Sequence, residues 1–518
     1  MKFDVKLVTA RSLVIELEET DCYQTREYDI YINNVLYGSS NKVVDTIYGL
    51  KPNTEYTIYI KRDGIQSDTL KIHTDFEYVT LNVRDFGAKG DGIADDTKSI
   101  QAAILCCPLH SRVYIPEGIY KITNLFLKSN IILELGKNSV LSGITDKSQI
   151  PVLPGRIENY DEDSEYLIAS WEGNPLASYA SLITGIHVEN VVICGEGTVD
   201  GGGDFTTWWN SNKDIDPYAR PRMLFLNNCN NITLQGITVK NSPAWNLHPY
   251  FSKNLKFMDL KILSPSKSHN TDGIDPESCE NVEIIGVYFS VGDDCIAIKS
   301  GKIYMGRKYK TPSKNITIQH CHMEKGHGAV TIGSEIGAGV SNIVVKNCSF
   351  SHTDRGLRIK TRRGRGKDSV LKDIVFEDIK MDHVRTPLVV NSFYYCDPDG
   401  KTNYVSSKES LPVDDRTPSV KNLTFRNMVC TNCHIAAAYF YGLPEKKIEM
   451  IEMENIHFTY AKDAIQGMAA MMIGCDVSVK KGLFARNINQ LILRNVVIEG
   501  NIGETFDTRS IDNIEIVK

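Results

Sequence analysis

Five hundred and eighteen residues, 42% hydrophobic and 24% charged, can bury a large core and do not describe a disordered chain. Lys plus Arg is 58 against 64 Asp plus Glu, a formal net charge of −6, which excludes the global basic field of a non-specific nucleic-acid binder. No run approaches about 18 uninterrupted apolar residues, so no transmembrane helix is expected, and at roughly 150 residues per domain the length alone gives about three domains.

In chain order, Met1-Lys2-Phe3-Asp4-Val5 runs directly into alternating sequence, without the charged and apolar regions of a signal peptide. Thirteen cysteines is an odd count, and Cys194, Cys279, Cys295, Cys321 and Cys348 sit in apolar strand-like runs where a reduced thiol packs as a small hydrophobe. Both features point to a cytoplasmic protein; the alternative is a secreted one whose leader has been removed. Residues 1–77 alternate in short runs, among them Leu13–Leu17, Tyr28–Ile32 and Tyr56–Ile60, separated by turn residues. This predicts a small β-sandwich. Leu50-Lys51-Pro52-Asn53-Thr54-Glu55-Tyr56 resembles the tyrosine corner of a fibronectin type III module. A packing or spacer role is expected for it, with carbohydrate binding as the alternative.

Residues 78–518 have a different texture. Ser99–Ile104 has helical spacing, with Asp95 or Asp96 as its cap, and precedes everything else in this part, as a cap on a repeat fold would. Then Asn followed by alternating apolar residues recurs at Asn190, Asn231, Asn254, Asn281, Asn315, Asn342 and Asn422. Intervals of this order mean a solenoid, propeller or array. Blades would be longer and a leucine scaffold is missing, so the pattern predicts an all-β right-handed parallel β-helix, with Asn and Gly at its corners. The three N-x-[ST] strings within this set read as corner residues.

Polar groups then recur about one coil apart: Asn270-Thr271-Asp272-Gly273, Gly292-Asp293-Asp294, Gly326-His327-Gly328 and Arg355-Gly356-Leu357-Arg358-Ile359-Lys360. Stacking places Asp272, Asp293, Asp294, His327, Arg358 and Lys360 along one face. Crowded carboxylates push their pKa values apart, which glycosidic cleavage needs: an acid for the leaving oxygen and a base for water. A calcium site is the other use of such a cluster, but the flanking cations argue against a metal and suit an anionic substrate. Seven basic residues lie between Arg355 and Lys367, and this patch reads as a carboxylate or phosphate contact.

These four motifs, in this order, resemble glycoside hydrolase family 28, the polygalacturonases, over about residues 80–518. The resemblance implies a parallel β-helix, no metal or organic cofactor, and inverting hydrolysis of α-1,4-galacturonosidic bonds. It implies Asp293 as general acid, Asp272 and Asp294 as the pair that positions and deprotonates water, and His327 as support for the acid. Arg358, Lys360, Asn270 and Arg363 are implied as substrate-binding residues. The expected partner is a galacturonate-containing polysaccharide or oligosaccharide, with no nucleic acid and no membrane. Asp275, followed by Pro276, is expected to be a turn residue, and His248 structural or at the cleft wall. Thr331–Glu335 resembles the bacterial exo-acting branch, and Arg156–Tyr160, Trp171–Gly173 and Trp208–Arg222 resemble loops that block one end of a cleft. Rhamnogalacturonan or xylogalacturonan hydrolysis, a calcium-dependent pectate lyase and a β-helical carbohydrate-binding protein are the alternatives. Cys430-Thr431-Asn432-Cys433-His434 spells a haem attachment string, and His320-Cys321-His322 a ligand spacing; structural roles are expected for both.

Overall fold

Alternation over the first 73 residues folds into two packed antiparallel sheets. One joins Phe3–Val8, Leu13–Leu17 and Val44–Ile47; the other joins Gln24–Ile32, Val35–Lys42, Glu55–Arg62, Ile65–Gln66 and Leu70–His73. The Tyr56 hydroxyl accepts the Lys51 backbone N–H at 2.8 Å, the backward reach expected of the tyrosine corner. The computed structural model describes residues 2–158, 165–210 and 217–517.

From Thr80 onward the chain winds into a right-handed parallel β-helix. Each coil contributes short strands that pair in parallel with those of the coils before and after. Asn230–Gln235 pairs with Lys253–Met258, Thr238–Lys240 with Lys261–Leu263, and Leu224–Asn227 with Leu247–Tyr250. Inward residues such as Leu234, Phe257, Ile284, Ile318 and Val345 stack into one continuous core. The asparagine repeat has a physical cause. Asn190, Asn231, Asn254, Asn281, Asn315 and Asn342 all take φ between 56° and 58°, a region in which asparagine is tolerated. Their side-chain amides hydrogen-bond from coil to coil at 2.7–3.1 Å. A corner that must turn and also satisfy its polar groups thus selects the same residue each time.

The helix Thr97–Cys106 packs Ile100, Ala103 and Ile104 into the first coils. Asp95 Oδ1 accepts the Thr97 N–H at 2.9 Å, whereas Asp96 turns back to accept the N–H groups of Lys89 and Gly90. All thirteen cysteines are free thiols, and only Cys106 and Cys396 are exposed. Cys430 and Cys433 are core residues, and His434 Nδ1 accepts the Ile465 N–H at 3.1 Å. His320 and His322 both face the sandwich: His320 Nδ1 lies 2.8 Å from the Cys22 carbonyl, and the His322 ring lies 6.0 Å from that of Tyr23. Among the described residues no helix is long and apolar enough to cross a membrane.

The sandwich does not hang free. Met258 and Ile285, on two coils of the β-helix, belong to its apolar core. Lys42 and Thr46 reach Asp259, and the Tyr48 hydroxyl donates to the Gly195 carbonyl. The two units therefore share one buried junction, along one corner of the β-helix.

Candidate active site

The site lies on the third sheet of the β-helix and at the turns that enter it. In this sheet Leu247 is level with Ile274, Ile274 with Ile296, Ile296 with Val330, and Val330 with Leu357. Those residues point into the core, so by alternation their neighbours point out. One outward row is His248, Asp275, Ala297, Thr331 and Arg358; the next is Tyr250, Glu277, Lys299, Gly333 and Lys360. Asp272, Asp293, Asp294 and His327 lie in the turns just before the same strands. One oxygen from each of Asp272, Asp293 and Asp294 lies within 4.8 Å of the others. The turn glycines make this possible. A Cβ on Gly292 would stand 2.3 Å from the Ser268 carbonyl, and one on Gly328 would stand 2.8 Å from Asp294 Oδ1.

The three carboxyl groups are held differently. Asp294 is fully buried; its Oδ1 accepts from Arg358 Nη1 and its Oδ2 from Lys360 Nζ, both at 2.9 Å. Burial opposes its ionisation, but Lys360 and Arg358 outweigh burial and hold this carboxyl far below the usual carboxylate range. Asp293 retains 24% side-chain exposure and faces His327 Nδ1 at 3.4 Å. Burial again opposes ionisation and the His327 contact prevails, lowering Asp293, while the same contact raises His327. Asp272 goes the other way: burial, then the charges of Asp275 and Asp293, push it well above the ordinary value. Of the three carboxyl groups only Asp272 is raised, so it holds its proton most tightly, while Asp293 and His327 are each shifted toward the charged form. An anion bound beside Asp293 would raise its pKa toward that of an acid.

Asp275 is not the turn residue expected from Pro276. It is completely buried beneath the site, 3.6 Å from Lys299 Nζ, and neither oxygen has a hydrogen-bond partner among the described residues. Burial lifts it to about 7 against the pull of Lys299. Lys299 also lies 3.5 Å from Glu335 and 3.9 Å from Asp272, and 4.6 Å from the centre of the Trp245 ring. His248 is buried, as expected of a structural residue, with Nε2 2.9 Å from Glu277. Burial lowers His248 well below its usual value and lifts Glu277 to about 8, shifting both partners of this contact toward their neutral forms.

Asp272, Asp293, Asp294, His327, Lys299, Glu335, Arg358 and Lys360 line a cavity of about 450 Å³, together with Glu172, Trp245, Asn270, Asp354, Tyr394 and Met471, whereas Asp275, His248 and Glu277 lie behind its wall. Asn270 is present as expected, and its Oδ1 accepts from Arg220 at 2.5 Å. Arg363 is a correction to the expected set. It lies outside the cavity, buried, with its guanidinium bound to both oxygens of Glu445 and to the carbonyls of Tyr404, Ser407 and Glu409. The basic patch is likewise mostly spent inside the protein: Arg362 and Arg365 bind Asp397, and Arg362 also binds Asp399. Only Arg355, Arg358 and Lys360 of the seven reach the cavity. Lys299 stands outside the expected site set, and Glu335 enters it only as the end of the Thr331–Glu335 stretch, although alternation from Ile296 and Ile298 already turns Lys299 to the site face.

Two of the three expected loops border the cavity. Glu172 lines it, Arg222 packs between Trp171 and Trp245 at 4.8 and 5.0 Å, and Arg220 bonds to the carbonyls of Pro243 and His269. Arg156–Glu158 forms a short hairpin with Glu165–Leu167; Asn159, Tyr160 and 211–216 lie outside the described residues. The facing oxygens of the carboxylates come within 4.8 Å of one another, a nearest-atom spacing and not the separation of whole carboxyl groups, roughly 6.5–9.5 Å, that admits water between acid and base. That nearest-atom spacing would also suit a cation; Arg358 and Lys360 already bring two positive charges to it.

Comparison with known proteins agrees with the motifs. The profile of glycosyl hydrolases family 28 matches residues 157–474, and that of rhamnogalacturonase A/epimerase, pectate lyase-like, matches residues 80–143. A probable polygalacturonase of Vitis vinifera is 31% identical over 390 residues, covering 73% of this chain and 74% of its own. An endo-polygalacturonase of Pectobacterium parmentieri is 30% identical over 378 residues, 70% of this chain and 84% of its own. The structure of the family 28 exopolygalacturonase of Yersinia enterocolitica superposes with a TM-score of 0.75 at 21% identity, over 99% of this chain and 98% of its own, which shows a shared fold.

Proposed function

Because the chain belongs to glycosyl hydrolases family 28, we propose that it hydrolyses α-1,4-galacturonosidic bonds from the end of a chain, with inversion. The observation that carries this reading is the convergence of Asp272, Asp293 and Asp294 with Arg358 and Lys360 at one wall of the cavity. Asp293 is the member open to the cavity mouth, where it can protonate a leaving oxygen. A substrate carboxylate drawn to Arg358 and Lys360 sits near Asp293 and favours its protonated form. When the substrate carboxylate binds, the Asp272 proton passes to Asp293, which then gives it to the leaving oxygen; the Asp272 carboxylate so freed takes a proton from the attacking water, which Asp294, locked by both cations, helps orient. His327 holds the Asp293 carboxyl in place from the exposed side. The names of relatives include both cutting modes. The exo mode rests instead on Glu172, which lines the cavity, backed by Arg222 packed between Trp171 and Trp245 and by Arg220 bonded to Asn270.

Proton NMR on hexagalacturonide, with EDTA present, reads product length and first-formed anomer together. Release of one- or two-sugar products from the start, in the inverted β configuration, is the expected result. A ladder of intermediate lengths overturns the exo mode, and a rise in ultraviolet absorbance from unsaturated product, in a parallel reaction with calcium in place of EDTA, overturns hydrolysis.

A further inference from the structure

A second wall closes the cavity on the side of the later coils, and no sequence motif marked it. The segment 461–480 crosses the outer face of the third sheet and turns back through a short antiparallel pairing of Gly467–Met468 with Val477–Ser478. Ala469, Ala470, Met472 and Cys475 are buried against Val389, Phe393, Ile435, Tyr439 and Leu443. Its backbone is also held from below. Arg355 Nη2 donates to the Met468 carbonyl at 2.8 Å and Arg355 Nε to that of Ala469 at 3.3 Å, and Asn391 Nδ2 donates to that of Met471 at 3.1 Å. Buried side chains and bonded carbonyls make this a fixed wall. At its crest the Met471 side chain lines the cavity, with Sδ 2.6 Å from Arg358 Nη2.

We propose that Met471, with the segment that carries it, sets substrate length: it ends the cavity just beyond Arg358, so that the protein favours short galacturonides and handles long chains poorly. This rests on the hydrolase reading above and adds a specificity residue to it. A groove open along the β-helix axis would let a polymer lie across many coils. Here Glu172, backed by Arg220 and Arg222, stands at one end and Met471 at the other, while the lining residues His327 and Asp354 keep 51% and 24% side-chain exposure. A cavity of about 450 Å³ encloses only a few sugar rings. Sugars beyond the walls must bend out through the mouth, where they gain no enclosure and still lose freedom on binding.

The test measures kcat/KM per chain end on trigalacturonide and on polygalacturonate, for the wild type, Met471→Ala and Met471→Leu, with thermal melts to verify folding. The polymer-to-trimer ratio is the readout, because it cancels any general effect on Arg358. The expected wild-type ratio is about one tenth or less; alanine, which lowers the wall, raises it at least threefold, and leucine, which keeps the bulk, leaves it unchanged. A wild-type ratio near one overturns the proposal, as does an alanine variant that folds and keeps the wild-type ratio. Trimer turnover with a flat length profile sinks this proposal alone, whereas no turnover of any galacturonide sinks the hydrolase reading and this proposal with it.

Discussion

Buried charges at the junction of the sandwich and the β-helix, and buried charges beneath the cavity, are both shielded from water but are partnered in different ways. At the junction Asp259 accepts from Lys42 Nζ at 2.7 Å and from the Thr46 hydroxyl at 2.8 Å, contacts short enough to replace lost hydration, although burial still lifts Asp259 to about 6. Beneath the cavity one ammonium, that of Lys299, serves three carboxyl groups at 3.5–3.9 Å, and among the described residues neither oxygen of Asp275 finds a hydrogen bond. The first arrangement fixes two units against each other. The second leaves acids with displaced proton affinities, the condition under which a carboxyl group can exchange protons near neutral pH.

The largest effect expected from breaking this contrast is at the cavity. Asp293→Asn should lower the rate of reducing-end release by about 10²–10⁴-fold while the circular dichroism spectrum and melting temperature stay close to wild type; an active, folded variant contradicts the assigned acid. At the junction the reverse is expected. Lys42→Met leaves Asp259 without its cation and should cost about 1–3 kcal/mol in chemical denaturation, with kcat/KM per folded molecule unchanged; a loss of activity without a loss of stability would erase the distinction between the two regions. The subtlest effect is on pH. Asp275 has a folded pKa of about 7 against an unfolded value of about 3.9. Above about pH 4 the unfolded chain has released this proton while the folded protein keeps it, so stability falls as pH rises toward 7, by up to about 1.4 kcal/mol per pH unit from this group. Asp275→Asn should flatten that fall in melts between pH 5 and 7. Asp294, lowered in the fold, contributes in the opposite sense: its stabilisation is present above about pH 4 and is lost as pH falls further.

The site was legible in sequence to the extent that it depends on register. The coil spacing of Asp272, Asp293 and His327 reports the stacking of turns, and a strand period of two placed Arg358 and Lys360 on one face. Where expectation failed, the cause was a partner remote in sequence. Arg363 looks like its neighbours until Glu445, 82 positions later, is brought against it. Asp275 reads as a turn residue because Pro276 follows it, and only the covering coils and loops show that it is sealed in beside Lys299. Met471 carries no local signal, since its position depends on a loop laid across coils that precede it.

The sequence by itself determined the coil. Asparagine at left-handed corners, alternating apolar residues and glycine at close approaches are local requirements, repeated because each coil meets the same neighbour geometry. It also determined which carboxylates would meet, since a parallel stack turns interval into adjacency. Tertiary structure alone decided which charges are neutralised, which acids keep their protons and where the groove ends. Those properties depend on dielectric surroundings and on contacts between segments tens to hundreds of residues apart, and no local pattern encodes either.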